Sequence, residues 1–137
     1  MLEQFRHPDS PSQGLYAFYH LPSGLKIDLF PLRRSDPIQL AEFARHVEML
    51  TVPGQPALVC TAQDLLVQEL RWWEMGGRQS DRQLRDCLNL LLADLARPNP
   101  QIDLDEVGRV TRALGSPVHE AWQQLQRTVQ QALRPPE

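Results

Sequence analysis

The stretch Ala57-Leu58-Val59-Cys60-Thr61-Ala62-Gln63-Asp64-Leu65-Leu66-Val67-Gln68-Glu69-Leu70 is where the chain changes its period. Ala57 to Cys60 is a short apolar run that reads as a strand. Thr61 has the chemistry of a helix N-cap, since its hydroxyl oxygen can accept from an unpartnered N–H of the first turn. Asp64, three residues on, can return a bond to the Thr61 backbone. Leu66, Leu70 and Trp73 then recur every three or four residues as the apolar stripe of a helix, and Gly76-Gly77 ends it.

Upstream of that junction the reading is of strands and turns. Leu15 to His20 is rich in aromatics and suits a strand. Pro22-Ser23-Gly24 is a turn signal, and Leu25 to Phe30 forms the second arm of a hairpin. Pro31 to Asp36 is a basic loop carrying Arg33 and Arg34. Asp36-Pro37 pairs an N-cap with proline at the first helical position, and Leu40, Phe43 and Val47 would share one face of that helix. Val47 to Val52 and Ala57 to Cys60 pair as short strands across Pro53-Gly54-Gln55-Pro56.

Downstream the pattern is helical throughout. Ser80 with Gln83 repeats the capping box, followed by Leu84, Cys87, Leu88, Leu91, Leu92 and Leu95 as a broad buried face. Arg97-Pro98-Asn99-Pro100 breaks this helix. Asp103 with Glu106 opens the next one, bearing Leu104, Val107, Val110 and Leu114, and Gly115 closes it. Ser116-Pro117 opens the last, with Val118, Trp122, Leu125, Val129 and Leu133 as its stripe, and Pro135-Pro136 ends it. Strands first and helices after define an α+β fold: a small mixed or antiparallel sheet of about four strands, then a C-terminal bundle of about four helices. We read one domain over residues 1–137, strand-rich from 15 to 60 and helical from 61 to 134.

The 137 residues suffice for one hydrophobic core. A hydrophobic share of 42% and a charged share of 23% are those of an ordinary globular protein. With net charge −3 there is no global electrostatic reason to bind nucleic acid or an anionic membrane. No apolar run approaches the ~20 residues of a membrane span, and Met1 to His7 lacks the pattern of a signal peptide. Cys60 and Cys87 each lie in an apolar segment, which suits reduced thiols in a cytoplasmic protein, and no Cys or His pair has zinc-ligand spacing.

Asp28 stands out within Leu25-Lys26-Ile27-Asp28-Leu29-Phe30, because a charge inside a strand-like apolar run needs a partner, a metal or solvent. Alternation puts Lys26, Asp28 and Phe30 on one face. Asp28 therefore reads either as the ion-pair partner of Lys26 on a solvated face or as a metal-binding carboxylate on a strand. Trp72 and Trp73 point about 100° apart on a helix. One of them belongs in the core, and the other is a candidate interface contact.

The span from Gly24 to about Trp122 resembles the C-terminal part of prokaryotic nucleotidyltransferase-like proteins. These belong to the polymerase-beta-type superfamily and are related to the nucleotidyltransferases of toxin–antitoxin systems. The resemblance rests on Gly24-Leu25-Lys26-Ile27-Asp28-Leu29, the helix start Thr61 to Leu70, Ser80 to Asp86, and Ile102-Asp103-Leu104-Asp105, in that order. It implies nucleotidyl transfer from a triphosphate with two magnesium ions held by three carboxylates. Two of these form an Asp-x-Asp pair after a Gly-Ser turn, and the third matches Asp28. Arg33 and Arg34 would then bind substrate.

The chain departs from this pattern. Residues 1 to 24 hold neither the Gly-Ser turn nor the Asp-x-Asp pair, so half of the site is missing ahead of Asp28. Gln63 replaces an acidic residue of the family, and Glu69 replaces a lysine that faces phosphate, reversing the sign of that interaction. The expectation is a nucleotidyltransferase-like protein with a degenerate active site. Alone, it would need no cofactor and would act as a binding or interaction module. The alternative is a magnesium-dependent enzyme completed by another chain, with Asp28 as third ligand. Either reading implies an oligomer of this chain or a separate N-terminal partner.

Overall fold

A computed structural model describes residues 2–6, 16–29, 33–50 and 54–134. Expectations at Asp9, Gly14, Leu15, Phe30, Pro31, Thr51, Val52, Pro53, Pro135 and Pro136 lie outside the described residues. The architecture is mixed α+β, in the order β1 (Leu2–Arg6), β2 (Tyr16–His20), β3 (Leu25–Leu29), α1 (Pro37–Ala44), β4 (Val47–Leu50), β5 (Pro56–Val59), α2 (Ala62–Met75), α3 (Asp81–Leu95), α4 (Leu104–Leu114) and α5 (Ser116–Ala132). Two compact units divide it, Met1–Ala41 and Glu42–Glu137, with the boundary inside α1.

In the first unit β1 pairs antiparallel with β2, and β2 antiparallel with β3. The expected β2–β3 hairpin forms around Ser23, whose N–H donates to the His20 carbonyl at 3.1 Å, and Gly24 takes φ +66°. That left-handed value is why glycine closes the turn. The third strand, β1, is a correction to the expected count. Its sequence, Leu-Glu-Gln-Phe-Arg, has no β-branched residue and no clear alternation, so only the ladder with β2 makes it a strand. Asp36 caps α1 as expected, its Oδ1 accepting from the N–H groups of Ile38 at 3.1 Å and Gln39 at 3.0 Å.

In the second unit β4 and β5 form a separate two-stranded antiparallel sheet, with Val47 opposite Val59 and Leu50 opposite Pro56. The single sheet expected from the sequence is therefore two sheets, both antiparallel and neither mixed. Val47, read as part of the α1 face, instead begins β4, because the helix stops at Ala44.

The four later helices build the core. Leu66, Val67, Leu70 and Trp73 from α2 are buried with Cys87 and Leu91 from α3, Val107 and Val110 from α4, and Val118, Ala121, Trp122, Leu125 and Val129 from α5. Helix α2 packs against α3, α4 and α5, and α5 also against α3 and α4. The 3.6-residue periodicity thus finds the right faces. It fails at Leu104 and Leu133, which are exposed at helix termini, and it overlooks Val67.

Asp94 shapes the α3–α4 connection. Its buried carboxylate accepts from the N–H of Gln101 at 3.0 and 3.1 Å and from the N–H of Ile102 at 2.9 Å. Those bonds satisfy backbone donors of a proline-broken loop and hold the buried Ile102 side chain in place.

Candidate functional site

Asp28 lies on β3 opposite Ala17 of β2. Its Oδ2 is 2.9 Å from the Lys26 ammonium, and both side chains are partly open to solvent. Alternation along the strand puts the two on one face, so the pair is the direct result of an i,i+2 spacing. The hydrogen bond from Lys26 to the carboxylate holds the ammonium above its usual range. Leu25 and Ile27 on the opposite side of the strand are also exposed.

A divalent cation needs several oxygen ligands of net negative charge. At Asp28 the structure offers one carboxylate already facing an ammonium, which among the described residues does not fit a magnesium site. No group of three His, Cys, Asp or Glu side chains among the described residues is arranged to hold a metal ion. Arg33 and Arg34 are exposed in the turn before α1. The Arg33 carbonyl accepts from the Asp36 N–H at 3.0 Å, and the Arg33 N–H donates to Gln39 Oε1 at 3.2 Å. Among the described residues no ion pair links either arginine to Asp28.

Gln63 and Glu69 both lie on α2. Gln63, in the first turn of α2, accepts from the Asp103 N–H at 2.9 Å and so ties the starts of α2 and α4 together. Glu69 is half-buried. Its carboxyl is pushed above the usual range by burial and by the Asp86 charge, with Arg82 opposing. Arg82 itself pairs with Asp86 at 3.7 Å across one helical turn.

The expected caps are present, with altered reciprocity. Thr61 Oγ1 accepts from the Asp64 N–H at 3.1 Å, Ser80 Oγ from the Gln83 N–H at 3.2 Å, and Asp103 Oδ1 from the N–H groups of Asp105 and Glu106, each at 3.0 Å. Glu106 turns away from the cap to a two-point pair with Arg109, which lowers its carboxyl below the usual range. Asp64 also does more than cap. It accepts from the Thr61 hydroxyl at 2.8 Å and from both the Nε, at 3.2 Å, and a terminal nitrogen of Arg45.

Around Asp64 lies a cluster of buried and half-buried polar side chains. Glu42, in the last turn of α1, is only 3% exposed, and Asp64 only 2%. Glu42 Oε2 accepts from the Gln68 amide at 2.9 Å, whereas Oε1 is buried without a hydrogen-bond partner. Burial first, and the Asp64 charge second, push the Glu42 carboxyl above its usual range, against Arg71, the Gln68 bond and Arg45. Cys60 is half-buried nearby, and its thiol is pushed up chiefly by burial. The Arg45 fork is bidentate on Asp64 and fixes it firmly, whereas Glu42 is held by Gln68 and meets the Arg71 and Arg45 charges without a hydrogen bond from Arg45. Sequence reasoning missed Glu42 and Arg45 because their partners lie 26 and 19 positions away. The available signal was a charge between Leu40 and Phe43 on a short helix.

Trp73 is the core member of the tryptophan pair, at 2% exposure, and its indole Nε1 is buried without a partner. Trp72 is half-buried, so of the two it alone has surface to offer another molecule. Cys60 and Cys87 are free thiols. No helix among the described residues is long and apolar enough to cross a membrane. Comparison of the chain with protein-family models, curated proteins and solved structures gave no significant match.

Proposed function

We propose that this chain is a nucleotidyltransferase-like binding or interaction module that does not by itself catalyse nucleotidyl transfer. The observation that carries this reading is the Lys26–Asp28 ion pair. The carboxylate that the resemblance assigns to metal has an ammonium 2.9 Å away, where a cation would otherwise lie. Gln63 supports it through its bond to the Asp103 N–H, and Glu69 through its half-buried place near the Asp86 and Arg82 charges of α3. A site under selection for phosphate chemistry would keep a cation at the Glu69 position, not a carboxylate beside Asp86.

The second reading, a magnesium-dependent enzyme completed by another chain, draws on the openness of Asp28 and its neighbours to solvent. A partner could then approach the β3 face carrying the missing carboxylates. In the module reading the same open face binds a second copy or a separate chain. We infer a cytoplasmic setting from the two reduced thiols.

Calorimetry with magnesium and a nucleoside triphosphate separates the two. The module reading expects no magnesium-dependent heat for the wild-type chain and the same result for Asp28→Ala. Asp28→Ala should also unfold with a midpoint near wild type, because an exposed ion pair contributes about 0–1 kcal/mol. Triphosphate binding that requires magnesium and disappears in Asp28→Ala would sink the module reading.

A further inference from the structure

We propose that Glu42 is a proton-operated latch: with its carboxyl neutral it fastens the segment from Glu42 to Arg45, and the β4–β5 hairpin beyond it, to α2, and with its carboxyl ionised it loosens them.

The geometry begins with what holds the hairpin. Val47, Met49, Leu50, Leu58 and Val59 are all exposed, so apolar burial contributes little to its attachment. A two-stranded hairpin is marginal in water without such burial. Two side-chain bridges run from the residues just before β4 to α2. Arg45 grips Asp64 through two nitrogens, and Glu42 accepts from Gln68 at 2.9 Å. The Arg45 bridge is further fixed by the Thr61 hydroxyl on Asp64. The Glu42 bridge has no such support, and its second oxygen is buried and unpartnered.

The charges facing Glu42 decide what ionisation does. From α2 come Asp64 and Arg71, with Gln68 as the neutral donor, from the turn after α1 comes Arg45, and from the β5–α2 junction comes the Cys60 thiol. Arg45 is already committed to Asp64. A negative Glu42 would bury a second carboxylate beside Asp64 with one oxygen lacking a donor, a cost that the Arg71 and Arg45 charges offset only in part. A neutral carboxyl keeps the Gln68 bond and removes that repulsion. Burial and Asp64 favour the protonated form in the folded chain, so the stability it contributes is complete below the ordinary glutamate range. That contribution is lost as pH rises through the elevated folded value. The latch is independent of the nucleotidyltransferase reading, because none of its residues is assigned to that site.

The test is a carbon and nitrogen NMR titration of the full chain from about pH 4 to about pH 8, spanning the ordinary glutamate value of ~4.3. The Glu42 carboxyl carbon should titrate above that value. The Gln68 side-chain amide and the Met49 methyl group should shift with the same midpoint. Glu42→Gln, neutral at every pH, should hold both reporters at their low-pH positions throughout. A Glu42 midpoint at or below ~4.3, or a Met49 signal that does not follow Glu42, overturns the latch. Persistence of the reporter shifts in Glu42→Gln overturns it too. The wild-type titration decides the matter on its own if the variant fails to fold.

Discussion

Trp73→Ala is expected to destabilise the helical unit by about 3–5 kcal/mol, the usual cost of truncating a buried tryptophan. Trp73 is 2% exposed on the face of α2 that also buries Leu66 and Leu70, so the lost volume opens a cavity that neighbouring helices cannot fill without moving. Urea denaturation followed by far-ultraviolet circular dichroism reads the change directly. Trp73→Phe is the gentler control, because it removes the buried indole N–H that has no acceptor. Trp72→Ala should cost about 1 kcal/mol or less, as is usual for a half-exposed position. If Trp72 meets a partner, its loss should weaken association while the fold survives. A Trp73→Ala protein that unfolds at the wild-type denaturant concentration would show that the α2 face is not the core.

Asp94→Ala should cost about 2–4 kcal/mol, because the N–H groups of Gln101 and Ile102 would lose a charged acceptor inside the protein. The damage should spread along the α3–α4 connection, since Ile102 is buried and depends on that anchor. Hydrogen exchange at the Gln101 and Ile102 amides should rise well before exchange in the middle of α3. Asp94→Asn retains one acceptor oxygen and should recover part of the loss. Unchanged protection of both amides in Asp94→Ala would show that the loop holds itself.

The Asp94 case shows which parts of this structure were legible in the sequence. Helix starts at Thr61, Ser80 and Asp103, and the buried faces of α2 to α5, follow from local spacing, and local spacing is what a sequence displays. The β2–β3 hairpin was legible because Gly24 marks a turn needing a left-handed residue. Strand β1 was not, because its partner β2 and not its own composition makes it a strand. The separation into two sheets was equally hidden, since which strands share a ladder depends on contacts distant in the chain.

The candidate site follows the same division. The Lys26–Asp28 pair was legible, being two residues apart. Asp94, in Leu90 to Leu95, is likewise a charge within an apolar run, as Asp28 is in Leu25 to Phe30. The Asp94 carboxylate is buried, whereas Asp28 is exposed. Glu42 with Gln68, and Arg45 with Asp64, lie beyond the reach of any spacing rule, because folding alone brings them together.

Cys87 gives the helical core a gauge of its own opening. The side chain is wholly buried, and burial pushes its thiol up to about 12, so almost no thiolate exists at neutral pH in the closed protein. An alkylating reagent must wait for α3 to come away from its neighbours. The modification rate at Cys87, divided by that of an unprotected thiol, therefore measures the open fraction without denaturant. Half-buried Cys60 should be modified sooner, reporting the junction between hairpin and α2 while Cys87 reports the bundle. Two reactive sulfurs, on two schedules, would show whether these parts of the chain open together or in turn.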